Sequence, residues 1–130
     1  MQIFIMDSDY EVMKKLEELI NCNPKYKAKC FTGPQSLVEA VRHETPGAVI
    51  LDFDMQSSYS AVNTIKRESP DIKIVMMSEN KCKAVELFEL GLDGFLLKPI
   101  EEEKLREQLF RVRHPLLSRI KYGSERTAAI

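Results

Sequence analysis

Residues 48–54 read Ala-Val-Ile-Leu-Asp-Phe-Asp: four apolar side chains in succession, then an acid, an aromatic and a second acid. An unbroken apolar run of that length, with no polar alternation, belongs to a β-strand covered on both faces. The same form recurs on either side of it. Ile3–Met6 runs into Asp7-Ser8-Asp9, Ile74–Met77 runs into Ser78, and Phe95–Leu97 runs into Lys98-Pro99. A further stretch, Tyr26–Phe31, alternates like a half-buried strand. Between the strands the spacing changes to that of amphipathic helices. Val12, Leu16, Leu19 and Ile20 mark the first helix, Leu37, Val38 and Val41 the second, and Val62 and Ile65 the third. Ala84–Leu90 lies in the fourth, and Leu105, Leu109 and Val112 line the fifth. Asn21–Pro24, Thr32-Gly33-Pro34, Pro46-Gly47, Ser69-Pro70 and Gly91 punctuate the series. Strands and helices in strict alternation imply a parallel sheet with helices on both faces, joined by right-handed crossovers.

The bulk properties agree. A chain of 130 residues, 44% hydrophobic and 30% charged with few glycines and prolines, is one globular domain, not a disordered or collagen-like chain. No run approaches the ~20 apolar residues of a membrane helix, and the N-terminus lacks the basic start of a signal peptide. Cys22, Cys30 and Cys82 match no zinc or disulfide spacing, which reads as reduced thiols in a cytoplasmic protein. Residues 1–110 hold 14 basic and 19 acidic groups, an acidic body unsuited to direct nucleic-acid binding. Arg111, Arg113, Arg119, Lys121 and Arg126 make the end basic, which without interleaved aromatics reads as a solvated helix end or linker. Residues 1–113 form the expected domain and 114–130 a C-terminal extension or linker.

Ligands of open α/β sheets bind beyond the carboxyl ends of the strands. There stand Asp7, Ser8 and Asp9, Asp52 and Asp54, Ser78, and Lys98. Neighbouring carboxylates repel and raise one another's pKa unless a hard cation lies between them. Magnesium, which keeps several waters, is the expected ion. Asp52 is then placed as a nucleophile forming an aspartyl phosphate, with Lys98 and the Ser78 hydroxyl pairing to the phosphoryl oxygens.

Four stretches, IFIMDSD, VILDFDM, IVMMS and GLDGFLLKPI, follow one another in an order that resembles the response-regulator receiver family. The resemblance implies a flavodoxin-like (βα)5 fold with strand order 2-1-3-4-5 and phosphorylation of Asp52 by a histidine kinase or phosphotransfer protein. It implies magnesium held by Asp7, Asp52, the Asp54 carbonyl and the position of Ser8. Ser78 and Phe95 fall at the family's hydroxyl and aromatic switch positions, and Lys98–Pro99 matches its cis peptide bond. ELFELGLDGFLLKPIEEEKL looks most like receivers attached to LytTR-type or similar DNA-binding domains. The fourth helix, fifth strand and fifth helix form the implied readout surface. There Lys81, Lys83, Lys104 and Arg106 among Glu86, Glu89 and Glu107 suit a homodimer.

Two positions depart from the family. Ser8 stands where a second acid is usual, which removes one charge from the metal site, and Gln56 stands where a proline is common. Asp9 falls one residue beyond the usual pair. Each site residue also has a plainer reading: Asp52 as a turn cap, Lys98 as a surface lysine, Ser78 as the cap of the fourth helix, Phe95 as core. His43 and His114 read as surface residues. Two rivals to phosphorelay remain open: a degenerate receiver that acts as an interaction module without phosphorylation, and a haloacid-dehalogenase-like phosphatase with Asp54 as general acid. The reading adopted is a non-enzymatic receiver.

Overall fold

The computed structural model describes residues 1–114; the extension expected over 114–130 otherwise lies outside the described residues. Five strands, β1 (Gln2–Met6), β2 (Lys27–Phe31), β3 (Ala48–Asp52), β4 (Lys73–Ser78) and β5 (Gly94–Leu97), form one sheet. It is parallel throughout, in the order β2-β1-β3-β4-β5. The flavodoxin-like order implied by the resemblance is the observed one. Helices α1 (Tyr10–Asn21), α2 (Pro34–Glu44), α3 (Ser57–Glu68) and α4 (Val85–Glu89) make the crossovers, and α5 (Glu102–Arg113) follows the last strand.

Because successive strand residues face opposite sides, the uninterrupted apolar runs feed two separate cores. Ile3, Ile5, Ile50, Met77 and Leu96 pack with Met13, Leu16 and Ile20 of α1 and with Leu105, Leu109 and Val112 of α5. Phe4, Met6, Val49, Leu51, Ile74 and Met76 pack with Leu37 and Val41 of α2 and with Val62 and Ile65 of α3. Met13 and Tyr26 also belong to the first core, Tyr26 from just before β2 rather than within it. Tyr26 buries its ring and donates its hydroxyl to the Leu109 carbonyl, 3.4 Å away.

Register places the site. Met6 pairs with Leu51 and Asp52 with Met77, so the residues just past β1, β3 and β4 emerge side by side at one edge. Asp9 stands at the rim of that edge, but its carboxylate has another task. Its carboxylate caps α1, accepting from the Glu11 and Val12 amides, as an N-cap aspartate does.

The fourth helical segment differs from expectation at its start. A single 3-10 turn, Lys81–Ala84, precedes α4. Its cap is Asn80, whose Oδ1 accepts from the Cys82 amide at 2.9 Å. The plainer reading of Ser78 as the helix cap is therefore corrected. The other end of α4 matches the sequence. Gly91 adopts φ 65°, its N–H reaches the Phe88 carbonyl at 3.3 Å, and the Leu92 N–H reaches Leu87 at 2.8 Å. That is a Schellman termination, which requires a left-handed residue. Gly91→Ala forces a Cβ into that conformation and should cost about 1 kcal/mol of stability, read as a lower urea midpoint with an unchanged m-value.

Candidate functional site

An open cleft lies over the carboxyl edge of β1, β3 and β4, bordered by Asp7, Asp52, Asp54, Lys83 and Lys98. Asp7 and Asp52 are 1% and 3% exposed, so both carboxylates sit at its floor. Each first satisfies its own loop: Asp7 Oδ1 accepts from the Asp9 amide at 2.8 Å and Asp52 Oδ1 from the Asp54 amide at 2.9 Å. Lys98, at the end of β5, reaches across to both. Its Nζ lies 2.8 Å from Asp7 Oδ2 and 3.1 Å from Asp52 Oδ1. Asp7 Oδ2 is buried and, apart from this ion pair, takes no hydrogen bond. The Lys98–Pro99 peptide bond is cis.

The electrostatics follow from that crowding. Burial raises the pKa of Asp52, and the Asp7 charge raises it further. The Asp54 amide and Lys98 pull the other way and do not fully compensate. For Lys98, burial opposes the charge, but Asp7 and Asp52 beside it hold the ammonium above its ordinary value. A buried lysine flanked by two carboxylates thus stays charged.

Ser78 is fully buried and joins the site from β4. Its hydroxyl donates to Asp54 Oδ1 at 2.6 Å and accepts from the Asn80 amide at 3.0 Å. Asp54 also takes the Glu79 amide at 3.0 Å, with Lys83 3.9 Å and Lys98 4.0 Å away. Burial works against the Asp54 charge, but the Ser78 hydroxyl, the Glu79 N–H and the two lysines hold its carboxyl below the usual range. Ser8 is exposed at the rim, and Phe95 is half-buried against the α3 side of the sheet.

The side-chain contacts of the β4–α4 loop are not legible in the sequence. Asp54, expected at the metal through its carbonyl, has a side chain that is the hub of this loop. Lys83 and Glu86, expected among the charges of the readout surface, both turn inward. Lys83 Nζ donates to the Phe53 carbonyl at 2.6 Å, and Tyr59 donates its hydroxyl to Glu86. Burial and that Glu86 contact push the Tyr59 phenol up to about 12. Nothing in the local spacing foretells these contacts, because they depend on the turn Lys81–Ala84 folding back over β3.

Among the described residues, no three His, Cys, Asp or Glu side chains close around a point as a full metal cage. Magnesium does not require one, since it binds through one or two carboxylates and keeps its waters. The paired Asp7 and Asp52 carboxylates, with the undonated Asp7 Oδ2, fit such an ion.

A doubly wound α/β sheet thus carries paired acids, a hydroxyl and a lysine together at its carboxyl edge, the arrangement of a receiver-type signalling domain. The chain belongs to the response regulator receiver domain family, whose model matches residues 3–110. Receiver domains are components of two-component signalling, work with kinase or phosphotransfer partners, and are in general signalling modules rather than enzymes. The chain is 25% identical over 119 residues to a nitrate/nitrite response regulator protein homolog of Haemophilus influenzae, covering 86% of this chain and 56% of that protein. It is 29% identical over 73 residues to the luminescence regulatory protein LuxO of Vibrio campbellii, covering 53% of this chain and 16% of that one. The chain therefore spans little more than half of one relative and a small part of the other.

Solved structures agree on the fold. The N-terminal receiver domain of a Bacteroides fragilis response regulator superposes with a TM-score of 0.76 at 27% identity, covering 85% of this chain and 94% of that one. The chemotaxis response regulator CheY4 of Vibrio cholerae gives 0.76 at 18% identity, covering 85% and 97%. No helix among the described residues is long and apolar enough to cross a membrane.

Proposed function

We propose that this domain accepts a phosphoryl group on Asp52 from a histidine kinase or phosphotransfer protein and passes the change to a protein-protein interface. The observation that carries this reading is Lys98 held between Asp7 and Asp52 at the floor of an open cleft. An Asp52 oxygen attacks phosphorus in line, the new O–P bond forms as the P–N bond to the donor imidazole breaks, and the imidazole, already protonated on its other nitrogen, takes the P–N electron pair and leaves neutral. Lys98 stays charged throughout and offsets the anion at Asp52. Bound magnesium would be held by Asp7, Asp52 and the Asp54 carbonyl, with Ser8 at the rim, and would neutralise charge on the phosphoryl oxygens. Ser78 would donate to one of those oxygens once its present acceptor, Asp54, releases it.

The phosphatase rival needs Asp54 to deliver a proton. A carboxyl held below its usual range by four donors and cations is a poor acid at neutral pH. The output face is proposed to comprise the segment containing α4, β5 and α5. Val85, Phe88, Leu97 and Phe110 are exposed there, which supports an interface, with homodimerisation one form it takes. The surface charges contribute less than expected, because Lys104 pairs with Glu107 and Arg106 with Glu102 within α5.

The test is incubation with acetyl phosphate and magnesium, followed by intact mass. One labile phosphoryl adduct mapping to Asp52 is expected, and its yield should fall at least tenfold when EDTA removes the metal. No adduct at high magnesium would instead support the phosphorylation-independent module that Ser8 suggests.

A further inference from the structure

The Ser78 hydroxyl carries one proton and has already committed it. Buried to 0% exposure, it donates to Asp54 Oδ1 over 2.6 Å, a short charge-assisted bond. The other Asp54 oxygen takes the Glu79 amide, and Lys83 faces the same carboxylate while holding the Phe53 carbonyl. One side chain of β3's loop thus anchors three consecutive parts of the β4–α4 segment: the end of the strand, the loop amide and the 3-10 turn. Tyr59 donating to Glu86 fixes the next turn to α3. The anchoring anion is on the chain itself and needs no phosphoryl group.

We propose that Asp54 is a positioning residue that holds Ser78 and the β4–α4 segment in the unphosphorylated arrangement, so that a phosphoryl group on Asp52 must take the Ser78 hydroxyl from it. This rests on Asp52 being the phosphoacceptor. A proton shared with Asp54 is not available to a phosphoryl oxygen. Each new bond to the phosphoryl group therefore replaces an existing one of similar strength, and the free-energy gain on modification shrinks accordingly. The Asp54 charge also repels the incoming anion. Both effects make the domain harder to switch than its Asp52–Lys98 geometry alone would dictate.

Two measurements on the same variants separate the clamp from the phosphoacceptor reading. In unmodified protein, Asp54→Ala should speed hydrogen exchange at the Glu79 and Asn80 amides by about tenfold, the loss of one such bond. Asp54→Asn keeps an acceptor oxygen and should retain most of that protection. With beryllofluoride and magnesium as the phosphoryl probe, Asp54→Ala should bind about tenfold tighter than the parent chain. Unchanged exchange in Asp54→Ala, or weaker beryllofluoride binding, would overturn the proposal. If neither parent nor variants bind beryllofluoride, the Asp52 reading fails, and amide exchange alone decides whether Asp54 holds the segment.

Discussion

Asp52→Asn is expected to abolish the phospho-adduct and at the same time to stabilise the domain by about 1 kcal/mol near neutral pH. The first effect follows because an amide has no anionic oxygen with which to attack phosphorus. The second follows from the pocket. Burial and the neighbouring Asp7 raise the Asp52 pKa despite Lys98 and the Asp54 amide, so the ionised group is held at a cost. Folded Asp52 binds its proton more tightly than unfolded Asp52. In the window between the ordinary carboxylate value and the raised one, the folded state therefore carries more protons, and stability falls as pH rises. Asparagine has no proton to lose and removes that contribution. Urea unfolding from about pH 4 to about pH 8 should show the variant gaining on the parent chain as pH rises. Asp54 contributes with the opposite sign and in a lower window, because its pKa is held down. The two can be told apart by where along the pH axis each acts. A variant less stable than the parent at neutral pH would mean that the ion pair with Lys98 outweighs desolvation.

How much of this was legible in the sequence follows from the range of the forces involved. The strand runs at Ile3–Met6, Ala48–Leu51 and Ile74–Met77 announce themselves because two-sided burial leaves no polar alternation. Once these strands are parallel neighbours, register brings Asp7, Asp52 and Ser78 to one edge, with Lys98 reaching in from β5. Gly91 is legible for a local reason, since a positive φ tolerates few other residues. What sequence could not supply is which polar partner each side chain takes across a loop. Asp9 could face the cleft or cap α1, and the cap wins because the Glu11 and Val12 amides have no other acceptor. Ser78 could cap the next helix or enter the site, and Asn80 settles it by capping first. Asp54 is a candidate through its carbonyl, but its side-chain partners and the inward turn of Lys83 depend on the 3-10 turn that carries Lys83 back over the Phe53 carbonyl.

Lys98→Met should cost the domain about 3 kcal/mol at neutral pH, well above the effect of an ordinary lysine substitution. Methionine matches the length of the stem, so the loss is electrostatic rather than one of packing. The ammonium is the cation facing both Asp7 and Asp52 from within ion-pair distance. Removing it leaves two buried carboxylates facing each other, and they escape the repulsion by taking up a proton. The Asp52 pKa, already raised by burial, then rises further without the ammonium. The penalty should accordingly be small below the ordinary carboxylate range and grow as pH increases through it. The same logic fixes the double variant. With Asp52→Asn already in place, losing Lys98 strands one carboxylate instead of two, so Lys98→Met should cost about 1–2 kcal/mol less in that background. Urea titrations of the parent, both single variants and the double variant, at one acidic and one neutral pH, measure that coupling directly. Equal costs for Lys98→Met with and without Asp52→Asn, or a cost indifferent to pH, would show that Lys98 is a packing residue. In that case the charge balance at the base of the cleft must come from elsewhere.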